Sequence, residues 1–323
     1  MIELSDRAAR VLEGGTLLYV AASTPLGPHL TPTVFAFSGG DLWLTTSRGS
    51  VKSRAWTRDA RVAGLVRRED SAVSFTGTVR TYDALDARTW IASVVGAPAL
   101  TAATLRFSRK NARFFAGYAV DARDVPLAWT PPGRVFARVE IERLALIADH
   151  RVAEVLGPWP SASEPGAAGF RTSSKPDDPL ARLPDDVADR LGRRGDEAAL
   201  AIQTADGDLV VFPASWTATD HELYAAVHRE VGALGGMDDR ALRRVALAAD
   251  RASWWRARDM SGVMIRGGGR AYEITGLTTG SGSAARIARL AGIRAPDDAI
   301  LVRIVPDRLV WWLGWSSGSV AAA

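Results

Sequence analysis

The sequence contains no cysteine, only four histidines and no long apolar run. The lack of cysteine excludes disulfides, zinc–thiolate sites and thiol nucleophiles. The histidines are scattered along the chain and form no metal-binding motif, so we expect no metal site. Because no run is long enough to cross a bilayer, we expect no membrane partner. The first six residues lack the basic and apolar regions of a signal peptide, which predicts a cytoplasmic protein.

The charges are nearly balanced, with 40 Lys and Arg against 36 Asp and Glu and a formal net charge of +4. Such a small excess suits a small anionic ligand as well as nucleic acid. Seven basic residues crowd one segment of the chain: Arg48, Lys52, Arg54, Arg58, Arg61, Arg67 and Arg68. No recognition-helix or RNA-binding aromatic motif accompanies them, so we expect a small-molecule substrate and no nucleic-acid partner.

Short β-rich segments separated by turn residues dominate the first half of the chain. Strands are predicted at residues 16–23, 30–37, 42–46, 61–66, 73–81 and 135–147. Ser38-Gly39-Gly40-Asp41 predicts a hairpin turn. Helices are predicted at residues 51–58, 84–95 and 100–118. The glycine fingerprint of a doubly wound sheet is missing. We therefore predict a mainly β fold with flanking helices (α+β), built on a closed antiparallel barrel.

The second half of the chain repeats the first in order, after a similar leading helix. Pro32 falls on Pro213 and Leu42 on Leu223, both at an offset of 181 residues (213 − 32 and 223 − 42). Gly77 matches Gly267, in a glycine run that otherwise indicates a turn or loop. A Pro-, Ser-, Gly- and Asp-rich stretch separates the halves. We predict a barrel in residues 1–150, a linker in 151–182 and a second, degenerate barrel in 183–323, which face each other as a pseudo-dimer.

The segment after the third predicted strand carries the residues best suited to hold a phosphate. The strand ends in Thr45, Thr46 and Ser47, and Ser50 and Lys52 then enter a helix. Hydroxyls, N–H groups at a helix start and a cation together solvate a phosphate. The same residues are common at an ordinary strand end and helix N-cap, so the pattern alone leaves both interpretations open. In either case we expect Lys52 to be exposed.

The order of these elements resembles the FMN-binding split barrels of the pyridoxamine-phosphate-oxidase-like superfamily. A proline-containing strand, a hairpin, a strand ending in threonine, a Ser-x-Lys helix start and a later strand glycine carry the resemblance. It implies nine cofactor-binding residues. Thr45, Thr46, Ser47, Ser50 and Lys52 would lie toward the phosphate, and Thr31, Pro32, Thr33 and Val34 beside the isoalloxazine.

The resemblance implies a flavin-dependent oxidoreductase that holds FMN in the groove between two barrels. The alternatives are a deazaflavin (F420)-dependent reductase of the same superfamily and a non-catalytic flavin- or haem-binding protein. Val51 stands where the classical pyridoxamine phosphate oxidases have an arginine, so their specific activity is not implied. Because family members usually dimerise, we expect a monomeric pseudo-dimer or a homodimer. No side chain stands out as a general acid or base.

The second copy lacks the phosphate pattern. An alignment without gaps puts Ala233 at the place of Lys52 (233 − 52 = 181), and Glu230 would repel a phosphate. The second copy also carries many of the eleven tryptophans. These are interpreted as core and interface residues or as contacts to the flavin: Trp254, Trp255, Trp311 and Trp312. Arg256 and Arg258 either face an anion there or belong to a solvated face.

Overall fold

The computed structural model describes residues 2–121, 123–126, 130, 133–159, 178–237, 242–251, 257–275, 288, 292 and 298–322. Within them the chain forms two closed antiparallel barrels with helices on their flanks. The predicted mainly β fold and its tandem repetition are therefore confirmed. No helix in the described ranges is long and apolar enough to span a bilayer.

Six strands close the first barrel in the order β3-β2-β1-β4-β5-β6, and β3 pairs back to β6. They are Leu17–Thr24 (β1), Gly27–Ser38 (β2), Asp41–Ser47 (β3), Arg61–Arg68 (β4), Ser71–Tyr82 (β5) and Arg134–Ala148 (β6). Arg151–Leu156 (β7) pairs with β6 outside the closed ring. Gly39 and Gly40, with φ of 64° and 84°, form the predicted turn between β2 and β3. Glycine adopts such positive φ values without steric cost.

The second barrel repeats this arrangement in the order β10-β9-β8-β11-β12-β13, closed by β10 against β13. Its strands are Arg194–Gln203 (β8), Leu209–Ala218 (β9), Leu223–His228 (β10), Leu242–Arg251 (β11), Ser261–Thr275 (β12) and Asp298–Leu313 (β13). Ser316–Ala321 (β14) pairs with β13 as β7 pairs with β6. The residues Gly267, Gly268 and Gly269, expected in a turn or loop, lie inside β12 instead.

Helices flank each barrel. The first barrel has Asp6–Gly14 (α1), Val51–Trp56 (α2), Trp90–Val95 (α3), Ala97–Lys110 (α4) and Ala112–Val120 (α5). The second barrel has Asp185–Leu191 (α6) and Arg229–Ala233 (α7). The hydroxyl of Ser5 caps α1 by accepting the Ala8 backbone N–H, which satisfies one of the free donors at the helix start. Helices α3, α4 and α5 are inserted between β5 and β6 and have no described counterpart in the second copy.

The apolar run of β1 serves two cores, because side chains alternate between the faces of a strand. Leu18 and Val20 belong to the core of the first barrel. Tyr19 and Ala21 belong instead to an apolar cluster that continues through the second barrel. First-barrel members of this shared cluster are mostly aliphatic: Leu30, Ala63, Leu65, Ala72 and Ile147. The two barrels are therefore joined by a common apolar interior.

Polar contacts also cross the interface between the barrels. Asp208 forms ion pairs with Arg61 at 2.8 Å and with Arg143 at 3.3 Å. The Ser74 hydroxyl donates to the Val211 carbonyl at 2.7 Å. Of the tryptophans expected at this interface, Trp311 and Trp312 pack against the shared cluster, and residues 254 and 255 lie outside the described residues.

The predicted linker at 151–182 needs correction at both ends. Residues 151–156 form β7, which hydrogen-bonds to β6 as part of the first sheet. Near the other end, Leu180 is buried in the cluster that fills the second barrel. A composition change cannot place such a boundary, because long-range strand pairing and burial decide which flanking residues join a domain. Residues 160–177 lie outside the described residues.

The matched glycines Gly77 and Gly267 occupy the same structural position in the two barrels. Each lies at a β-bulge, in β5 against β6 and in β12 against β13 respectively. A Cβ added to Gly77 would lie 2.0 Å from the Glu140 carbonyl oxygen, and one added to Gly267 would lie 2.0 Å from the Val305 carbonyl oxygen. The bulge brings backbone so close that only glycine fits.

Gly77→Ala and Gly267→Ala are each expected to lower the free energy of unfolding by about 3 kcal/mol, because backbone must move to admit the new methyl group. Urea denaturation followed by fluorescence measures this. Gly49→Ala is the control, since a Cβ there has no neighbour within 4 Å. Equal urea midpoints for Gly77→Ala and Gly49→Ala would contradict the role given to the bulge.

Candidate functional site

A gap between β2 and β3 sets the position of the site. The ladder between these strands covers residues 35–38 of β2 and 41–44 of β3. Past it, residues 31–34 pair with β1 and residues 45–47 pair with β6. The facing edges of β2 and β3 therefore carry backbone groups outside the ladder, which a bound molecule can satisfy. The hydroxyl of Thr33 crosses this gap and donates to the carbonyl of Thr45 at 3.3 Å.

A cavity of about 1320 Å³ opens at this gap. Its walls come from β2, β3, α2 and the helices α3 to α5 of the first barrel, and from β13 and β14 of the second. All nine residues predicted to contact a cofactor line it: Thr31, Pro32, Thr33, Val34, Thr45, Thr46, Ser47, Ser50 and Lys52. The structure thus brings the predicted residues together in one wall between the barrels. Their binding role stays a prediction.

One end of the cavity collects hydroxyl groups and a guanidinium. The side-chain oxygens of Thr46 and Ser50 are 3.0 Å apart. Ser50 is also the N-cap of α2, since its hydroxyl accepts the Ser53 backbone N–H at 3.1 Å. Arg134 donates to the Thr45 carbonyl at 2.9 Å and to the Thr45 hydroxyl at 2.6 Å. Such a set of hydroxyls beside a cation suits an anionic oxygen.

Lys52 lies at the same end and is only 8% exposed, which corrects the expectation of an exposed side chain. Burial, with a smaller contribution from the Arg134 charge, lowers the pKa of its ammonium to about 7. No carboxylate among the described residues contributes to this pKa or pairs with the ammonium. A buried cation without a carboxylate is costly, so an anion bound in the cavity would relieve that cost.

His29 also lines the cavity, although no sequence pattern predicted a binding role for it. Burial lowers its pKa to about 3, and the charges of Lys52 and Arg266 act in the same direction. The imidazole is therefore neutral at pH 7 and offers hydrogen bonds rather than a charge.

The rest of the cavity is mostly apolar, and nine aromatic side chains contribute to it. These side chains come from β5, β6, β13 and the helices α3 to α5: Tyr82, Trp90, Phe107, Phe114, Phe115, Tyr118, Phe136, Trp311 and Trp312. Trp311 and Trp312 thus meet the expectation that some tryptophans border the groove. The helical aromatics and Arg134 were not predicted. In the sequence, the only indication of these residues is an aromatic-rich predicted helix and an arginine just before the predicted strand 135–147. Long-range packing brings both to the cavity.

The structure corrects the alignment of the second copy. Helix α7 begins directly after its N-cap His228, at the end of β10. In the first copy, three more residues separate the end of β3 from α2. Counted from the N-caps Ser50 and His228, the second residue is Lys52 in α2 and Glu230 in α7. A carboxylate, and not Ala233, therefore stands at the position of Lys52. The gap-free alignment missed this because the turn is shorter.

Other features of the anion-suited end are also lost in the second copy. Strand pairing puts Ala226 and Val227 where Thr45 and Thr46 stand, and Ala299 where Arg134 stands. Glu230 itself accepts the Val152 backbone N–H at 3.2 Å. Strand β7 of the first barrel is thereby held against α7. The second copy thus lacks both threonine hydroxyls and both cations of this end, and the absence of an equivalent phosphate site there stays a prediction.

The remaining candidate residues lie elsewhere. Arg258 belongs to a short 3-10 helix, Ala257–Asp259, and does not line the cavity. Residues 254–256 and the glycine-rich segment 276–287 lie outside the described residues. No group of three or more His, Asp or Glu that could hold a metal occurs in the part of the chain that the structure describes.

No protein-family model matches the sequence, and no curated protein matches it. Solved structures resemble single barrels of the chain. A pyridoxamine 5′-phosphate oxidase-related, FMN-binding protein from Nostoc punctiforme is 16% identical, with a TM-score of 0.33, over 45% of this chain and 86% of its own. General Stress Protein 26 from Bacillus anthracis is 14% identical, with a TM-score of 0.32, over 47% and 97%.

A protein described as an F420 reductase is 19% identical, with a TM-score of 0.30, over 44% of this chain and 98% of its own. In each of these three cases the similarity covers just under half of the chain, about the length of one barrel. Likenesses at this level of identity concern the fold alone. The function of this chain therefore has to be inferred from the residues of its cavity.

Proposed function

We propose that this chain is an oxidoreductase that binds a phosphorylated, flavin-type cofactor in the cavity between its two barrels. FMN is the leading candidate. F420 is the alternative, because it is also a phosphorylated, tricyclic anion. The observation that carries the proposal is the division of one cavity into a cationic, hydroxyl-lined end and a large apolar remainder rich in aromatic side chains. A phosphate at one end of a planar ring system matches that division.

The residues at the polar end fit a phosphate. Lys52 supplies a buried ammonium without a carboxylate partner, and Thr46 and Ser50 supply hydroxyls that already lie within 3.0 Å of each other. Arg134 adds a second cation beside them. Protonated Lys52 and the two hydroxyls would hold the phosphate through charge-assisted hydrogen bonds. The buried Thr31 hydroxyl has no hydrogen-bond partner among the described residues, as expected of a wall that a ligand completes.

The open edges of β2 and β3 fit the polar rim of a ring system. Residues 31–34 of β2 keep backbone groups outside the β2–β3 ladder. In this proposal they orient the ring, and Trp311 and Trp312 cover it from the second barrel and exclude water. A flavin or deazaflavin, when bound, supplies hydride or electron transfer.

The size of the cavity leaves room for a substrate. Small-molecule sites typically enclose about 300–1,000 Å³, whereas this cavity encloses about 1320 Å³. A cofactor and a second molecule would therefore be able to lie side by side among the aromatic residues. Offset-stacked or edge-to-face packing of planar groups against such side chains is favourable.

Titration of the purified full chain with FMN and riboflavin tests the proposal. FMN is expected to bind about tenfold to hundredfold more tightly, because a charge-assisted contact to its phosphate contributes roughly 1.5–3 kcal/mol. Riboflavin is the matched control, since it differs only by the phosphate. Equal affinities for FMN and riboflavin would contradict the placement of the phosphate at the polar end. If neither FMN nor F420 bound, the proposal would fail, and a Soret band in the purified protein would point to haem instead.

A further inference from the structure

A second cavity, of about 590 Å³, adjoins the first. We call it the annex and define it by the residues from both barrels that carry its chemistry: Arg54 of α2, Arg58 just after α2, Arg266 of β12, Arg308 of β13 and Ser319 of β14. The annex and the main cavity share three lining residues, His29, Val310 and Ser317. A ligand group in the annex would therefore lie next to the anion-suited end of the main cavity.

The annex is strongly cationic. Four arginines line it and none of its lining residues is acidic. The charge of Arg266 is partly neutralised by an ion pair at 2.8 Å with Asp307, which does not line the annex. Arg308 donates to the Ser319 hydroxyl at 2.7 Å. The side chains of Arg54 and Arg58 make no ion pair or hydrogen bond with the residues that the structure describes.

The part of this charge that Arg54 and Arg58 contribute is specific to the first copy. Counted from the helix N-caps, Gly232 and Gly236 of the second copy stand where Arg54 and Arg58 stand in the first. Two glycines at those positions carry no charge at all. The basic pair Arg54 and Arg58, in and just after α2, is therefore present only in the first copy, which also keeps Lys52.

We propose that the annex is a second anion-binding site, which takes phosphate or carboxylate groups of a molecule bound next to the cofactor phosphate. Like charges gathered in one cavity repel each other, and a polyvalent anion removes that repulsion. Guanidinium groups match the planar, bidentate geometry of carboxylate and phosphate oxygens. A volume of about 590 Å³ admits a small molecule with several such groups.

This inference rests on the proposed function, because the molecule is assumed to meet a cofactor in the main cavity. The anionic group has two possible sources: a separate anionic substrate, or an anionic extension of the cofactor itself. Both present the same chemistry to the arginines. Binding of small anions to the annex can nevertheless be measured without any flavin.

The test is calorimetric titration of the full chain with pyrophosphate and with citrate. The variants are Arg54→Ala/Arg58→Ala, Lys52→Ala and a charge-matched control, Arg7→Ala/Arg10→Ala, whose two arginines are exposed on α1. The affinity for both anions is expected to fall by about tenfold or more in Arg54→Ala/Arg58→Ala. It should be unchanged in the α1 control. Lys52→Ala should keep the annex binding event.

Parallel titrations with FMN and F420 separate the two sources. Weaker binding of F420 but not of FMN to Arg54→Ala/Arg58→Ala would assign the annex to a cofactor extension. Pyrophosphate binding to the FMN-saturated chain would assign it to a separate substrate. Failure of both cofactors to bind, with the anion result intact, would overturn the proposed function and leave the annex standing.

Three results would overturn the annex proposal itself. The first is that neither pyrophosphate nor citrate binds the unaltered chain. The second is that Arg54→Ala/Arg58→Ala binds both anions with unchanged affinity, whereas Lys52→Ala does not bind them. The third is an equal loss in the α1 control, which would trace binding to net charge alone.

Discussion

Lys52→Ala is expected to weaken the binding of FMN by about tenfold to hundredfold, because it removes a charge-assisted contact to the phosphate. Lys52 is the one predicted residue whose cation is buried in the cavity without a carboxylate partner among the described residues. Its ammonium therefore has no competing ion pair to break when an anion enters. Fluorescence titration with FMN measures the affinity of both proteins.

The chain offers a matched control for this substitution. Glu230 occupies the position of Lys52 in the second copy, where α7 follows its N-cap. Glu230→Ala changes the net charge by the same amount, in the opposite direction, and should leave the FMN affinity unchanged. Thermal melts of the cofactor-free proteins accompany the titrations. Lys52→Ala should melt no lower than the unaltered chain, because it removes an unpaired buried charge. Unchanged FMN affinity in Lys52→Ala would refute the assignment.

The pH dependence of binding follows from the lowered pKa of Lys52. Its value of about 7 lies below the ordinary 10.5, so the side chain loses its proton above pH 7 in the cofactor-free protein. A bound phosphate favours the protonated form, and binding above pH 7 must therefore take up a proton. The FMN affinity is expected to fall by up to about tenfold per pH unit between pH 7 and 9. Lys52→Ala should lack this slope. The range avoids the phosphate pKa of about 6.

Separating the two barrels is expected to lower the solubility of the protein more than any of the substitutions above. Residues 1–157 alone should aggregate or self-associate, because truncation exposes the apolar face made by Tyr19, Leu30 and Leu65. In the full chain this face is buried against the second barrel. A contiguous apolar surface of this kind is an aggregation hazard. Size-exclusion chromatography with light scattering of the isolated fragment measures the outcome.

Co-expression of residues 1–157 and 178–323 as two chains is the control. The fragments should form a soluble one-to-one complex, since the shared cluster and the Arg61–Asp208 ion pair do not need a covalent connection. Counted from the bulge glycines, Arg67 and Asp250 occupy equivalent positions, and their opposite charges attract each other across the interface. Two first barrels would thus bring arginine against arginine, which disfavours the homodimer. A monodisperse monomer of residues 1–157 would contradict the role of the interface.

Local sequence patterns were enough to define the strands and the repeat. Alternating and continuous apolar runs marked β1 to β6, and Gly39-Gly40 marked the turn between β2 and β3. The order of these elements, through its resemblance to FMN-binding split barrels, then implied the nine residues that line one wall of the cavity. These features depend on neighbours within a few residues, so the sequence carries them directly. The shared order of elements in both halves was likewise visible without coordinates.

Tertiary structure alone decided the environment of those residues. Lys52 is buried at the polar end of the cavity, and the pKa of its ammonium falls for that reason. Arg134 reaches Thr45 through the pairing of β6 with β3, and Glu230 takes the place of Lys52 through a shorter turn. Burial and charge depend on groups that lie far away along the chain. The sequence by itself indicated which side chains of β2, β3 and α2 line the cavity, and long-range packing determined their burial and their charged neighbours.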